Sequence, residues 1–403
     1  MTPPPAAPAP APAPKPATAP AVSAVRVAAD PEGKGWILGV IGKRTWKVVR
    51  GRCELDPAQV PLVEEPIYDE QRAVLVHDVD VLLNRRKADV VIDGHVYPPD
   101  GRTPFDFGVQ VGKLLRLARA FGPRRVAVDP VKGRPRFSNP EPIEKIPVGW
   151  ESAYGGVDLA ARADIGDPFE EPLRAAGVQP DPRFGLFAYP RNPVGRGYLI
   201  EPSPAAFEAC HLPLIEDPDS YVTPDNLVRQ DFVRWPEGPA VAGYGWLSYG
   251  YFPRSALMGA PPLVYDGARI APARFMEIKR GDLHEAAVLP DRPLAERLGI
   301  GVAQAAAVGM RADRVVPGDV VALHGLHPRE LRWSFKIPAE SPQMHVRFAG
   351  EKPTPLPAPL IRTVFIEPDL DRLTLVWTAE LPLPAGVGAR RLEGLAHVVL
   401  WNG

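Results

Sequence analysis

Chemistry in this chain would fall to a few polar residues in unusual company. Asn192-Pro-Val-Gly-Arg-Gly-Tyr198 sets an arginine between two glycines, and Leu212-Pro-Leu-Ile-Glu-Asp-Pro218 sets two adjacent carboxylates in an apolar, proline-bounded run. One reading is hydrolysis. Glu216 with Glu151, or with Asp219 close by, would supply the paired carboxylates of a glycoside hydrolase, and aromatic loops would stack on sugar rings. The other reading is a clasp in which Arg196 pairs with Glu216 or Asp217 and ties two loops together. Adjacent residues of a strand point to opposite faces, and Asp-Pro is a common turn starter, so the clasp is the expectation.

Other constellations are incomplete. His77-Asp78-Val-Asp80 and His324-Gly-Leu-His327 come closest to metal ligand sets, yet both read equally well as strand ends running into turns, and no metal is expected. Gly195-Arg-Gly197 lacks the third glycine of a nucleotide loop, no nucleophile elbow occurs, and His284-Glu285 has no second histidine at zinc-protease spacing. The expectation is therefore a non-enzymatic protein without a cofactor. Aromatic residues and arginine dominate binding hot spots. Trp150, Tyr154, Arg196, Tyr198, Tyr244, Trp246 and Arg254, all in aromatic and glycine-rich stretches, are the candidates for a partner-binding surface.

The elements that must hold these residues are short strands. Proline supplies 52 of the 403 residues and glycine 36, which favours turns over long helices. Residues 2–20 are almost wholly Pro and Ala, and a disordered tail over 1–30 is expected. Trp36–Ile41 and Thr45–Val49 read as a hairpin about a Gly42-Lys-Arg44 turn. Phe105–Val111 alternates cleanly, with Phe105, Phe107, Val109 and Val111 on one face. Lys113 to Phe121 is bounded by glycines and read as a strand with Leu115, Leu117, Arg119 and Phe121 on one side. The loop-rich 130–218 region carries too many aromatics for a linker, so ordered loops on a scaffold are expected. Arg292 to Met310 is the helix candidate. Val320–His324, Leu331–Ile337, Met344–Phe348, Ile361–Ile366, Leu373–Trp377 and His397–Trp401 complete the strands. The fold class is mainly β: an N-terminal antiparallel β domain with long ordered loops over 31–290, a helix or connector over 291–315, and a C-terminal β-sandwich-like half over 316–403 packed on it.

Bulk properties exclude several function classes. Lys+Arg 47 against Asp+Glu 48 leaves a formal charge of −1, so neither nucleic acid nor an anionic membrane is the expected partner. No apolar run reaches membrane-spanning length and no secretory h-region is visible, so a cytoplasmic location is expected. Cys53 and Cys210 are the two cysteines, too few for a disulfide framework, and read as small buried hydrophobes.

Several short motifs, in order, carry a family resemblance. They are Lys87-Ala-Asp89, Asp93-Gly-His-Val-Tyr-Pro98, Val111-Gly-Lys113, Ala120-Phe-Gly122, Ile146-Pro-Val-Gly-Trp-Glu-Ser-Ala-Tyr-Gly-Gly156, Asn192 to Tyr198 and Leu212 to Pro218. Tyr244-Gly-Trp246 with Phe252-Pro-Arg254 adds a later block. The series, over about residues 60 to 260, resembles a family long catalogued as a domain of unknown function. Its members sit in bacterial type VI secretion clusters beside PAAR-repeat tip proteins and effectors. The segment after Met258 departs from the family's asparagine-alanine-proline stretch, and Thr378 stands where arginine commonly follows the strand tryptophan. The resemblance implies an adaptor or chaperone that binds a type VI effector or a PAAR-repeat tip protein and assists its loading. It carries over no catalytic residue. A carbohydrate-active hydrolase and a structural component of the secretion apparatus are the alternatives.

Overall fold

The computed structural model describes residues 22–30, 35–200, 203–227, 238–252, 254–257, 263–265, 270–272, 303–384, 392 and 394–401. The chain is mainly β, with several sheets and few, short helices. Two large sheets organise it. The first has seven strands, in the order Val22–Ala29, Gly35–Val49, Arg372–Pro384, Leu360–Glu367, Ala88–Ile92 and Arg311–Ala312, with Arg52–Leu55 also paired to Gly35–Val49. The second has five strands, in the order Ile215–Glu216, Leu114–Ala120, Phe105–Val111, Val320–His324 and Arg332–Lys336. Pro342–Arg347, between Thr354–Pro355 and Ala396–Trp401, forms a third, three-stranded sheet.

Gly35–Val49 is one strand of 15 residues where a hairpin was expected. Its glycines make room for neighbours and do not turn the chain. A Cβ on Gly39 would stand 2.3 Å from Leu83 Cδ2, and one on Gly42 would stand 3.1 Å from Met344 Cε. A strand that long needs an equally long partner. It finds one in Arg372–Pro384, paired in unbroken antiparallel register from Gly35↔Pro384 to Lys47↔Arg372. This pairing corrects the expected division at 291–315, because both large sheets mix strands from the two sides of it: Gly35–Val49 with Arg372–Pro384, and Phe105–Val111 with Val320–His324. The C-terminal strands all form at the expected places, but they are shared among three sheets and do not close a sandwich of their own. The expected tail is also shorter than 1–30, since Val22–Ala29 is an edge strand paired to Gly35–Val49. Of the helix candidate, residues 303–310 are described and are not helical; Ala306 bridges Trp246, and residues 292–302 lie outside the described residues.

The main core lies between the two large sheets. Val90, Ile92, Leu373 and Leu375 from the first join Phe107, Val109, Val111 and Leu323 from the second in one buried cluster. Phe105–Val111 keeps its expected inward face. Leu114–Ala120 does not: Ala118 and Ala120 are fully buried, whereas Leu115 and Leu117 are 63% and 55% exposed. Register explains the inversion. Leu117 sits opposite Gly108 and Leu115 opposite Gln110, so both share the outward side of that neighbour, as do Ala322, His324, Arg332 and Ser334 further across the sheet. The 130–218 loops build a second core on Tyr154, Phe187, Tyr189, Tyr198 and Phe207, which Val126, Val222, Leu227 and Phe252 from outside them complete. Among the described residues no helix is long and apolar enough to cross a membrane.

Candidate functional site

The loops of the two central motifs meet along a short parallel pair, Tyr154–Gly155 with Arg196–Gly197. Arg196 N–H donates to Ala153 O and Tyr198 N–H to Gly155 O, each at 2.9 Å. Glycine is required where the segments cross. Gly155 and Gly156 have φ of 142° and 102°, and their Cβ atoms would come within 2.1 Å of Asn192 O and 2.5 Å of Gly195 O. Asn192, itself fully buried, pins the junction. Its Nδ2 donates to Trp150 O at 2.7 Å and Tyr154 O at 3.0 Å, while its main-chain carbonyl accepts Gly156 N–H at 2.8 Å.

A cavity of about 340 Å³ opens between these segments. Gly155 to Ala160 form one wall, Gly195 to Leu199 the other, and Ala206 with Ala209 to His211 complete it. Arg196 is the arginine on its lining. Asp158 also lines it, but its carboxylate is occupied. It caps the helix Leu159–Ile165 by accepting Ala161 N–H at 2.9 Å and takes Ile200 N–H at 2.8 Å.

The expected clasp exists with different arginines. Arg196 does not reach Glu216 or Asp217; its Nε donates to Glu151 O at 3.1 Å. Glu216 pairs with Arg124 through Oε1 and accepts Val222 N–H at 2.7 Å through Oε2. Asp217 pairs with Arg116 at 2.9 Å. The two adjacent acids thus engage two separate arginines. Burial pushes the Glu216 carboxyl above its ordinary value, with Arg124 and the Val222 N–H pulling the other way. The Glu151 carboxylate stands 3.2 Å from Arg72. Arg116 was legible in principle: it shares strand parity with the buried Ala118 and Ala120, so the face that buries those alanines turns the arginine inward.

The partner-binding candidates are interior residues. Trp150, Tyr154, Tyr198, Tyr244, Trp246 and Arg254 are all buried, and of that set Arg196 alone is half-exposed. Their density has a packing cause. Tyr154 and Tyr198 each stand 5.0 Å from the Tyr189 ring, Trp150 Nε1 donates to Trp246 O at 2.8 Å, and Arg254 lies over the Tyr249 ring at 3.7 Å.

Arg254 belongs to a buried charge network that the sequence reading did not assemble. Lys43, Arg85 and Arg254 face Asp78, Asp80 and Asp89, all six buried. Asp78 accepts from Arg254 at 2.9 Å and from Tyr249 OH at 2.8 Å, and lies 3.8 Å from Arg85. Lys43 Nζ lies 2.7 Å from Asp80. Arg85 donates to Asp89 at 3.3 Å, and Asp89 also takes the Ala305 and Ala306 N–H groups. Asp78 and Asp80, considered above as metal ligands with His77, are therefore occupied by cations of the protein itself. Among the described residues no group of three His, Cys, Asp or Glu is placed to hold a metal. Lys43 follows the apolar run Trp36–Ile41, but Arg44 and Lys47 lie in the same strand, so its burial had no distinct signal. Burial pushes both thiols up to about 12, which keeps Cys53 and Cys210 protonated near neutral pH; Cys210 is buried and Cys53 only half-buried.

His77 sits at the edge of the network, its Nδ1–H donating to Asp78 O at 2.7 Å and Nε2 lying 3.5 Å from Lys43 Nζ. Burial lowers its imidazole below the ordinary 6.5, with Lys43 adding to the effect and Asp80 opposing it. The unfolded chain therefore takes up a proton below about pH 6.5 that the folded chain resists. This contribution to stability is complete above that pH and is lost as pH falls. Urea titrations from about pH 7 to pH 5 are expected to show a decline that His77→Gln flattens. The same slope in both proteins would remove His77 as its source.

No curated protein and no solved structure matches the chain. A family described as "Uncharacterized protein conserved in bacteria (DUF2169)" matches residues 32–378, which take in the five-stranded sheet, most of the seven-stranded one without its edge strand Val22–Ala29, the charge network and the paired motif loops. The chain belongs to this bacterial family.

Proposed function

We propose that the protein is a non-enzymatic cytoplasmic adaptor, binding a type VI secretion effector or a PAAR-type spike-tip protein and assisting its loading for export. The resemblance of the ordered motif series to a family encoded in type VI clusters supports the partner class. The observation that carries a binding role is the outward face of the five-stranded sheet. Leu115, Leu117 and Val320 are exposed there, with the exposed Arg332 and Lys336 on the neighbouring edge strand. Apolar side chains rimmed by polar ones, on a rigid sheet, make a protein-docking face. The carboxylates of the hydrolase reading are engaged internally, Glu216 by Arg124 and Val222 and Glu151 by Arg72.

Co-purification with the effector or PAAR protein encoded beside it tests the reading. Leu115→Glu with Leu117→Glu is expected to leave stability within about 0.5 kcal/mol per site, because both side chains already face water. Retention of the partner is expected to fall at least tenfold. Full retention by the folded double variant would show that the sheet face is not the docking surface, and absence of any association with the native protein would overturn the adaptor reading itself.

A further inference from the structure

We infer that the cavity between the two motif loops receives the C-terminal residue of an extended polypeptide, with an apolar side chain inside it and the terminal carboxylate on Arg196. The inference rests on the reading of this protein as a binder of polypeptides and names the part of the partner that this second surface takes.

Size is the first argument. About 340 Å³ lies at the low end of ligand sites and suits one large side chain with its terminal carboxylate rather than an oligosaccharide. Lining chemistry is the second. Val157, Leu159, Leu199, Ala206 and Ala209 offer apolar surface. The carboxylate on the lining, Asp158, is buried and accepts the Ala161 and Ile200 N–H groups, so it does not present a free anion to a ligand.

Charge is the third argument. Among the described residues no carboxylate pairs with Arg196, and its one side-chain hydrogen bond, from Nε to Glu151 O, holds the stem and leaves the terminal nitrogens available. The Glu151 carboxylate turns instead to Arg72. Arg196 is half-buried, belongs to the lining and lacks a carboxylate of its own, and a guanidinium matches a planar carboxylate in bidentate geometry. The walls are preorganised by the parallel pair and by Asn192, which lowers the cost of capture. A free carboxylic acid shares this chemistry. A polypeptide is the better occupant because the lining glycines Gly155, Gly156, Gly195 and Gly197 carry no side chain to obstruct the path of the preceding residues, and terminal-carboxylate capture is a known mode of peptide recognition.

The test uses the full chain and fluorescent hexapeptides ending in Leu, Phe or Asp, each as free acid and as amide, with octanoate as competitor. The free acids ending in Leu or Phe are expected to bind at least tenfold more tightly than their amides and than the Asp peptide. Arg196→Gln is expected to erase the acid-over-amide preference. Ala209→Trp, at an exposed position of the lining, is expected to block all binding without loss of fold. Equal binding of acid and amide, binding of octanoate but of no peptide, or no binding by any free acid would each overturn the inference. Truncation of the partner separates the two readings: a partner that still co-purifies fully after losing its last residues overturns the cavity's role and leaves the adaptor intact.

Discussion

Replacing Asp78 with alanine is expected to lower folding stability by about 3–5 kcal/mol, read as a shift of the urea midpoint with unchanged slope. Asp78 is fully buried and accepts from Arg254 and Tyr249, with Arg85 at 3.8 Å. Its removal leaves two guanidinium groups in the interior with one carboxylate fewer than the three cations require. Arg254 keeps a bond to Leu247 O at 2.8 Å and its place over Tyr249, and Arg85 keeps Asp89, but neither can return to water. The cost is that of an uncompensated buried charge and exceeds the net worth of the pair. Asp78→Leu combined with Arg254→Met should therefore cost less than Asp78→Ala alone, a non-additivity that a double-mutant cycle measures. A loss below about 1 kcal/mol for Asp78→Ala would mean that water reaches the network.

The second large effect is expected at Asn192. Its amide nitrogen serves the carbonyls of Trp150 and Tyr154, both at the centre of the loop junction. Asn192→Ala removes both of these bonds, although Trp150 O keeps the Ala153 N–H at 3.2 Å, and should cost about 2 kcal/mol. Asn192→Asp should cost more, because a carboxylate oxygen would then face those two carbonyl oxygens. Thermal unfolding of the three proteins orders them native, Ala, Asp. Hydrogen exchange should show the amides of Gly156, Arg196 and Tyr198 losing protection first, since their acceptors lie within the junction that Asn192 holds. A variant as stable as the native protein would mean that the parallel pair and the glycine crossings suffice without the pin.

The two effects share a feature that also sets what could be read in advance. Asp78 and Arg254 are 176 residues apart in the chain, and Asn192 and Trp150 are 42 apart. Each residue was conspicuous in sequence, but the pairing was not. Asp78 stood out beside His77 and Asp80 as a possible ligand, Arg254 as a possible hot spot, and Arg196 as the cation of a clasp. The fold gives Asp78 to Arg254, Asp80 to Lys43, and Glu216 and Asp217 to Arg124 and Arg116. The aromatic residues show the same limit. A tryptophan or tyrosine in a glycine-rich loop has the composition of a binding surface and equally that of a loop core, and burial alone separates the two.

What the sequence determined by itself is local: a strand of period two at Phe105–Val111, short apolar strands at Ala88–Ile92, Val320–His324 and Ile361–Ile366, glycine and proline turns between them, and an ordered motif series that marks the family. Those features follow from backbone sterics and side-chain alternation within a few residues, so they are written in short windows. Only the tertiary structure decided that Gly35–Val49 runs unbroken against Arg372–Pro384, that Leu115 and Leu117 face solvent while Ala118 and Ala120 face the core, and that each charge has the partner it has. Register depends on the whole sheet, and the ion pairs join residues tens to hundreds of positions apart. A shift of one residue exchanges the two faces of a strand, and no local preference in Leu114–Ala120, apolar on both sides, chooses between them.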